Sequence, residues 1–238
     1  MSQNQANPKT IGSLKTLIVE PRSERTKPGP AVILFHGYGA DAADLLPLSD
    51  LMALRENITW IFPEAPLQVI SAPGMYGRAW YSLDSNLLER SLRTGEPADL
   101  STILPKGLDA ARTAALSLYN ELIPKHSAII LGGFSQGATL ATELALTAPV
   151  KPAGLVIMSG TVICESRWRK LSSTARGIPF FQCHGKNDPL LGYQFAEKLF
   201  SLLQSAGLHG EFMPFSGGHE IPPKAIEKIA KFINHTLR

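Results

Sequence analysis

Ala128-Ile129-Ile130-Leu131-Gly132-Gly133-Phe134-Ser135-Gln136-Gly137 runs from an unbroken apolar segment, through a serine flanked by glycines, into a stretch with helical spacing over 136–147. Apolar side chains on consecutive residues suit a strand covered on both faces, as in a parallel sheet between helices. The G-x-S-x-G pattern at the junction leaves room for a sharp strand-to-helix turn. There the serine occupies strained backbone and its hydroxyl stands at the top of the sheet. Strand, tight turn and helix in this order make one half of a βαβ unit.

The same alternation extends outward in both directions. Upstream, Ala31-Val32-Ile33-Leu34-Phe35 is a second continuous apolar run, ending at His36-Gly37. Residues 14–19 read as an edge strand and residues 58–62 as another strand. Between these two strands, Leu45, Leu48, Leu51 and Met52 give helical spacing over 44–54, with Asp44 at the start where it suits the helix dipole. Downstream come strands at 155–158 and 179–183, a helix over 191–205, and a short strand near Phe212. A last helix shows Ile226, Ile229, Ala230 and Ile233 at i, i+3, i+4 and i+7. A further helix runs to 122 over Leu108, Ala111, Ala115, Leu118 and Leu122. The expected architecture is α/β: a mostly parallel central sheet with helices on both faces, in one domain over 1–238, with 1–12 as a flexible leader.

Two irregular stretches interrupt this order. Pro63, Pro66, Pro73, Gly74 and Gly77 argue against regular structure over 63–83, a length that usually marks a functional loop. It carries Met75, Tyr76, Trp80 and Tyr81, of which Met75, Trp80 and Tyr81 are candidates to line a substrate pocket. A polar stretch follows at 91–99, and the whole 63–99 region is a candidate lid.

Composition removes several classes of function. The chain of 238 residues is 44% hydrophobic and 18% charged, enough to build a core and too ordered in pattern for an unfolded or fibrous chain. A net charge of +3 spread along the sequence is no footprint for nucleic acid. Cys164 and Cys183 stand far apart and outside any C-x-x-C spacing, which indicates neither a disulfide framework nor a metal site, but two buried thiols in a reducing compartment. The first residues lack the basic and apolar regions of a secretory signal, and no apolar run reaches membrane-spanning length. A cytoplasmic protein is the expectation. Nucleotide-binding loops of the G-x-x-x-x-G-K-[ST] or G-x-G-x-x-G type are absent from the sequence.

A serine hydroxyl attacks a carbonyl only when a base takes its proton and a carboxylate holds that base in the right tautomer. Asp188, in His184-Gly185-Lys186-Asn187-Asp188, follows an apolar strand, and His219, in Gly217-Gly218-His219, precedes the last helix. Ser135 as nucleophile, Asp188 as acid and His219 as base are therefore the candidates. His184 reads as structural, and His126, His209 and His235 as surface residues. Asp84 and Asp99 are rival acids that follow no strand between Ser135 and His219. The developing oxyanion needs donors, and the backbone amides of Gln136, after the nucleophile, and Tyr38, in His36-Gly37-Tyr38-Gly39, are placed to supply them.

These segments, together with Pro63-Glu64-Ala65-Pro66 and Gly77-Arg78-Ala79-Trp80-Tyr81, resemble the bacterial carboxylesterase/phospholipase family, relatives of the acyl-protein thioesterases in the α/β-hydrolase superfamily. The chain order Ser135, Asp188, His219 is that of this superfamily. The resemblance implies hydrolysis of carboxylic esters or thioesters through an acyl-serine intermediate, an acyl groove formed around Trp80 with Leu190 near the acid, no metal or other cofactor, and a homodimer. The chain departs from the family pattern at Ala138, where another glycine is usual, and at Pro189-Leu190-Leu191 after the acid. The expected substrate is a small ester. Alternatives are a lysophospholipid or acylated protein met at a membrane surface, and a non-catalytic binding domain of the same fold.

Overall fold

Ala31, Ile33 and Phe35 belong to one buried cluster, and Val32 and Leu34 to another. The two-residue period of a strand produces that division, and it makes this segment a central layer between two shells of helices. The computed structural model describes residues 6–21, 26–52, 54, 57–72 and 74–238. In chain order its elements are β1 (Ala6–Ile11), β2 (Leu14–Val19), β3 (Ala31–Phe35), α1 (Leu48–Leu51), β4 (Thr59–Pro63), β5 (Leu67–Ala72) and β6 (Met75–Ala79), then α2 (Ser85–Thr94) and α3 (Leu108–Leu122). The second half comprises β7 (Ile129–Phe134), α4 (Gln136–Thr147), β8 (Gly154–Met158), α5 (Glu165–Leu171), β9 (Pro179–Gly185), α6 (Tyr193–Ser205), β10 (His209–Phe215) and α7 (Pro223–Thr236).

Eight strands form one sheet in the order β1-β2-β4-β3-β7-β8-β9-β10. From β4 to β10 all neighbours are parallel, while β1 and β2 join antiparallel at one edge. Leu108, Ala115, Leu118, Leu140, Leu144, Leu199 and Leu202 bring α3, α4 and α6 onto one face. Leu48, Ala225, Ile229 and Ile233 bring α1 and α7 onto the other. The sheet therefore has helices on both faces, as the apolar runs predict. In the pairing of β3 with β7, Leu34 stands opposite Gly132 and Phe35 opposite Gly133. The loop after β3 and the turn after β7 thus emerge side by side at the carboxyl edge, where ligands of open α/β sheets bind.

Several local expectations change. Residues 6–11, read as part of a flexible leader, form β1, which reaches β2 across the two-residue turn Gly12-Ser13 and displaces β2 from the edge; residues 1–5 of that leader lie outside the described residues. Gly12 has φ 58°, the left-handed conformation that such a turn requires. The helix over 44–54 shrinks to α1. Pro47 has no N–H to give to Ala43, and the chain before it turns through three-residue bonds from Asp44 to Asp41 and from Leu46 to Ala43; Ala53 lies outside the described residues. Within 63–83, read as irregular, β5 and β6 make an antiparallel hairpin of their own. Pro66 precedes it and Gly74, at φ 75°, turns it, so these residues punctuate two short strands rather than forbid them; Pro73 lies outside the described residues. The polar stretch at 91–99 is entered by α2, capped by Asp84 through Asn86 N at 2.9 Å and ended by Gly95 at φ 70°. The sequence reading also passed over α5.

Candidate active site

Ser135 leaves β7 with φ 54° and ψ −119°, conformational space that costs an ordinary residue of order 1–3 kcal/mol. Its neighbours make that geometry sterically possible. A β-carbon on Gly133 would lie 2.6 Å from the Phe35 carbonyl oxygen, and one on Gly137 would lie 2.0 Å from the same oxygen. The turn is thus wedged against the end of β3 and only glycine fits on either side. Ser135 N donates to Met158 O at 2.9 Å, and Thr139 N to Ser135 O at 3.1 Å, so the serine is the residue at which the sheet ladder ends and α4 begins. Its side chain sits at the half-buried head of α4, where free amides and the helix dipole favour negative charge.

Asp188 follows β9 and His219 follows β10, so both arrive at the same carboxyl edge as Ser135. His219 Nδ1 lies 2.6 Å from Asp188 Oδ2. The carboxylate is acceptor-only, so Nδ1 carries the hydrogen and Nε2 keeps a free lone pair. The other oxygen, Oδ1, accepts from Leu190 N and Leu191 N, each at 2.9 Å. Pro189-Leu190-Leu191, the departure after the acid, thus curls back and caps the carboxylate. His184 is buried below it, with Nε2 donating to Leu191 O at 2.5 Å and standing 3.3 Å from Asp188 Oδ2. Burial alone would raise the Asp188 pKa, but the hydrogen bonds from His184 and His219, the nearby imidazole charge and the Leu191 amide hold it well below the ordinary carboxylate range.

The imidazole of His219 reaches back to the serine turn. Its ring stacks, tilted, on Phe134 with centroids 4.8 Å apart, and Phe134 immediately precedes Ser135. The structure therefore gathers the three sequence candidates for nucleophile, acid and base at one end of the sheet. Among the described residues no group of three or more His, Cys, Asp or Glu is arranged to hold a metal ion.

The residues of the two candidate oxyanion amides both adjoin the serine turn. Gln136 opens α4, and Tyr38 follows Gly37, whose added β-carbon would stand 3.5 Å from Ser135 Cβ. The Gln136 side chain, which sequence reasoning left without a role, ties down the next segment: Oε1 accepts from Trp80 N at 2.8 Å and Nε2 donates to Tyr81 O at 2.8 Å.

Trp80 and Tyr81 differ from their expected role. They are 1% and 2% exposed, and so are core residues with no ring surface open to a ligand. The Trp80 ring packs edge-on against Phe35, and its indole N–H donates to His36 O at 2.9 Å. Burial pushes the Tyr81 hydroxyl far above the ordinary phenol range. Met75, by contrast, is 63% exposed on the β5–β6 hairpin, and Leu190 is half-buried beside Asp188. The rival acids are accounted for locally, Asp84 as the cap of α2 and Asp99 as acceptor from Ser101 N at 2.8 Å. Cys164 and Cys183 are free and buried, and burial pushes the Cys183 thiol up to about 12.

The same fold recurs in known proteins. An esterase, PE8, superposes with a TM-score of 0.77 at 24% identity, covering 94% of this chain and 99% of its own. Acyl-protein thioesterase 2 of Zea mays superposes at 0.69 and 24% identity, covering 94% and 99%. In sequence, acyl-protein thioesterase 1 of Cryptococcus neoformans is 32% identical over 80% of this chain and 78% of its own length. Acyl-protein thioesterase 1 homolog 1 of Dictyostelium discoideum is 29% identical over 91% and 94%. Both sequence relatives are eukaryotic, so the resemblance extends beyond bacteria. The family model for phospholipases and carboxylesterases matches residues 16–237, a span that begins in β2 and closes with α7, and with it the chain belongs to the phospholipase/carboxylesterase family of α/β-hydrolases.

Proposed function

We propose that the ester-cleaving chemistry of this serine hydrolase is carried by Ser135 as nucleophile, His219 as general base and Asp188 as the carboxylate that holds the imidazole. The observation that carries this reading is the 2.6 Å contact between His219 Nδ1 and Asp188 Oδ2, made at the same sheet edge as a serine at φ 54°. Ser135 Oγ attacks the acyl carbonyl as its proton passes to His219 Nε2. The tetrahedral oxyanion is met by the Tyr38 and Gln136 amides. Its collapse breaks the ester bond, and the departing alcohol takes the proton from His219. Water, deprotonated by the same nitrogen, then cleaves the acyl-serine and releases the carboxylic acid.

Carboxylic esters of small alcohols are the first substrate reading. Acylated proteins are the second, favoured by the identity of about a third with acyl-protein thioesterase 1 of Cryptococcus neoformans. Met75 and Leu190 are proposed acyl contacts, being apolar, accessible and on segments adjoining the site. Association as a homodimer is also proposed, and sedimentation equilibrium decides it.

Hydrolysis of p-nitrophenyl esters from acetate to palmitate by wild type and Ser135→Ala tests the reading. The variant should lose on the order of 10⁶-fold in kcat. A residual rate within tenfold of wild type in folded variant protein removes Ser135 from the mechanism. The chain length of maximal kcat/KM separates a short-chain esterase from an enzyme of long acyl groups.

A further inference from the structure

His36 sits at the end of β3 and is 1% exposed. Its two ring nitrogens have distinct partners. Ala65 N donates to His36 Nε2 at 3.1 Å, so Nε2 is an acceptor without hydrogen. Nδ1 therefore carries the hydrogen of the neutral ring and donates it to Gly37 O at 2.7 Å. The Gly37 carbonyl and the Tyr38 N–H are opposite edges of one planar trans peptide. A bond that fixes one edge fixes the direction of the other, and Tyr38 N–H is the proposed oxyanion donor.

Trp80 links this peptide to the second donor. Its indole N–H holds His36 O at 2.9 Å, while its backbone N–H holds the side chain of Gln136 at 2.8 Å. Gln136 supplies the other oxyanion amide. Buried hydrogen bonds, joined through the frames of His36 and Trp80, therefore connect the Gly37–Tyr38 peptide to the side chain of Gln136. A site that stabilises charge gains from dipoles fixed before the reaction, because reorienting them during it costs energy.

The geometry points to His36 and Trp80 as positioning residues of this hydrolase, which hold the Gly37–Tyr38 peptide and Gln136 in register so that both amides meet the oxyanion. The inference rests on the reading of Ser135 as nucleophile and goes beyond it. His36 touches neither substrate nor reacting atoms and acts through Nδ1.

The ring nitrogens can be tested separately. In His36→Asn the amide nitrogen falls near the place of Nδ1, and in His36→Gln near that of Nε2. His36→Leu supplies neither, and Trp80→Phe keeps a ring while losing the indole donor. Rates on p-nitrophenyl butyrate are measured per serine labelled by a fluorophosphonate, so that only assembled sites count, with Ser135→Ala in parallel at matched protein concentration. Binding of butylboronic acid, which forms a tetrahedral adduct, provides a second readout. His36→Asn should keep kcat within about fivefold of wild type, whereas His36→Gln and His36→Leu should lose about 10- to 100-fold with KM within about twofold, a share of the effect of deleting an oxyanion donor. Boronate affinity should weaken in step with kcat, and Trp80→Phe should follow the same pattern more weakly. Equal rates for the Asn and Gln variants, a loss confined to KM, or unchanged boronate affinity overturns the inference while leaving Ser135 in place. Should the His36 variants fail to fold, Trp80→Phe decides by the same split between kcat and KM. A wild-type rate in Ser135→Ala removes the underlying reading and the inference with it.

Discussion

A β-carbon on Gly185 would lie 2.1 Å from the carbonyl oxygen of Gly218. The loop that bears the acid and the loop that bears the base are therefore in backbone contact, and Asn187 N seals it with a bond to Gly217 O at 3.0 Å. The 2.6 Å approach of His219 to Asp188 depends on this contact as much as on the two side chains.

Gly185→Ala should consequently act on the site although residue 185 has no functional group. Overpacking of this size costs about 1–3 kcal/mol, and it should separate the two loops. The expected result is a lower urea midpoint together with a kcat at least tenfold below wild type. Unchanged kcat in the folded variant would show that the loops adapt independently.

Replacing Asp188 by Asn removes the acceptor that fixes the His219 tautomer, and a serine triad loses about 10⁴-fold in kcat from that change. The stability consequence has a definite sign. The folded-state pKa of Asp188 lies below its ordinary 3.8, so the carboxylate favours the folded state at every pH above that value and loses its contribution as pH falls through the folded value. Urea unfolding of wild type and Asp188→Asn should show the wider stability gap at pH 7, narrowing as the pH drops below about 4. A gap that widens in acid would contradict the sign.

Glu143 on α4 is wholly buried, with Arg167 Nη2 and Trp168 Nε1 each at 2.5 Å. These bonds fasten α5 to α4. Glu143→Ala strands the Trp168 indole N–H and leaves the Arg167 guanidinium to Asp109 alone, and should cost about 1–3 kcal/mol in urea unfolding, the usual loss when a buried donor is left without its partner. Glu143→Gln keeps an acceptor for the indole and should cost less. Equal losses would mean that the charge, which both variants remove, carries the effect and that the retained acceptor adds little.

Met75 stands on the β5–β6 hairpin and is largely exposed. Met75→Ser should shift stability by less than about 0.5 kcal/mol, but if the side chain meets the acyl group it should raise KM for long p-nitrophenyl esters and leave acetate unchanged. A KM unchanged across the whole series removes Met75 from the acyl groove.

Periodicity made most of the sheet legible. Ala31 to Phe35 and Ile129 to Leu131 are apolar on every residue because both faces of the sheet are covered, and α4 begins at Gln136 as its spacing predicts. The hairpin of β5 and β6 escaped notice because prolines and glycines at its ends dominate a short pattern. The short α1 escaped because Pro47 outweighs the helical spacing of Leu45, Leu48 and Met52.

The sequence by itself determined the candidates for nucleophile, acid and base and their order, since a nucleophile turn needs glycines at fixed offsets and each candidate follows a strand. Which aromatic residues face a substrate and which lie in the core was decided only by tertiary structure. Trp80 shows the reason: burial and the partners of an indole N–H come from β3 and α4, segments distant in the chain, and no local pattern encodes where they meet. The same holds for His36 and His184, whose roles follow from the atoms that their ring nitrogens reach in the folded protein.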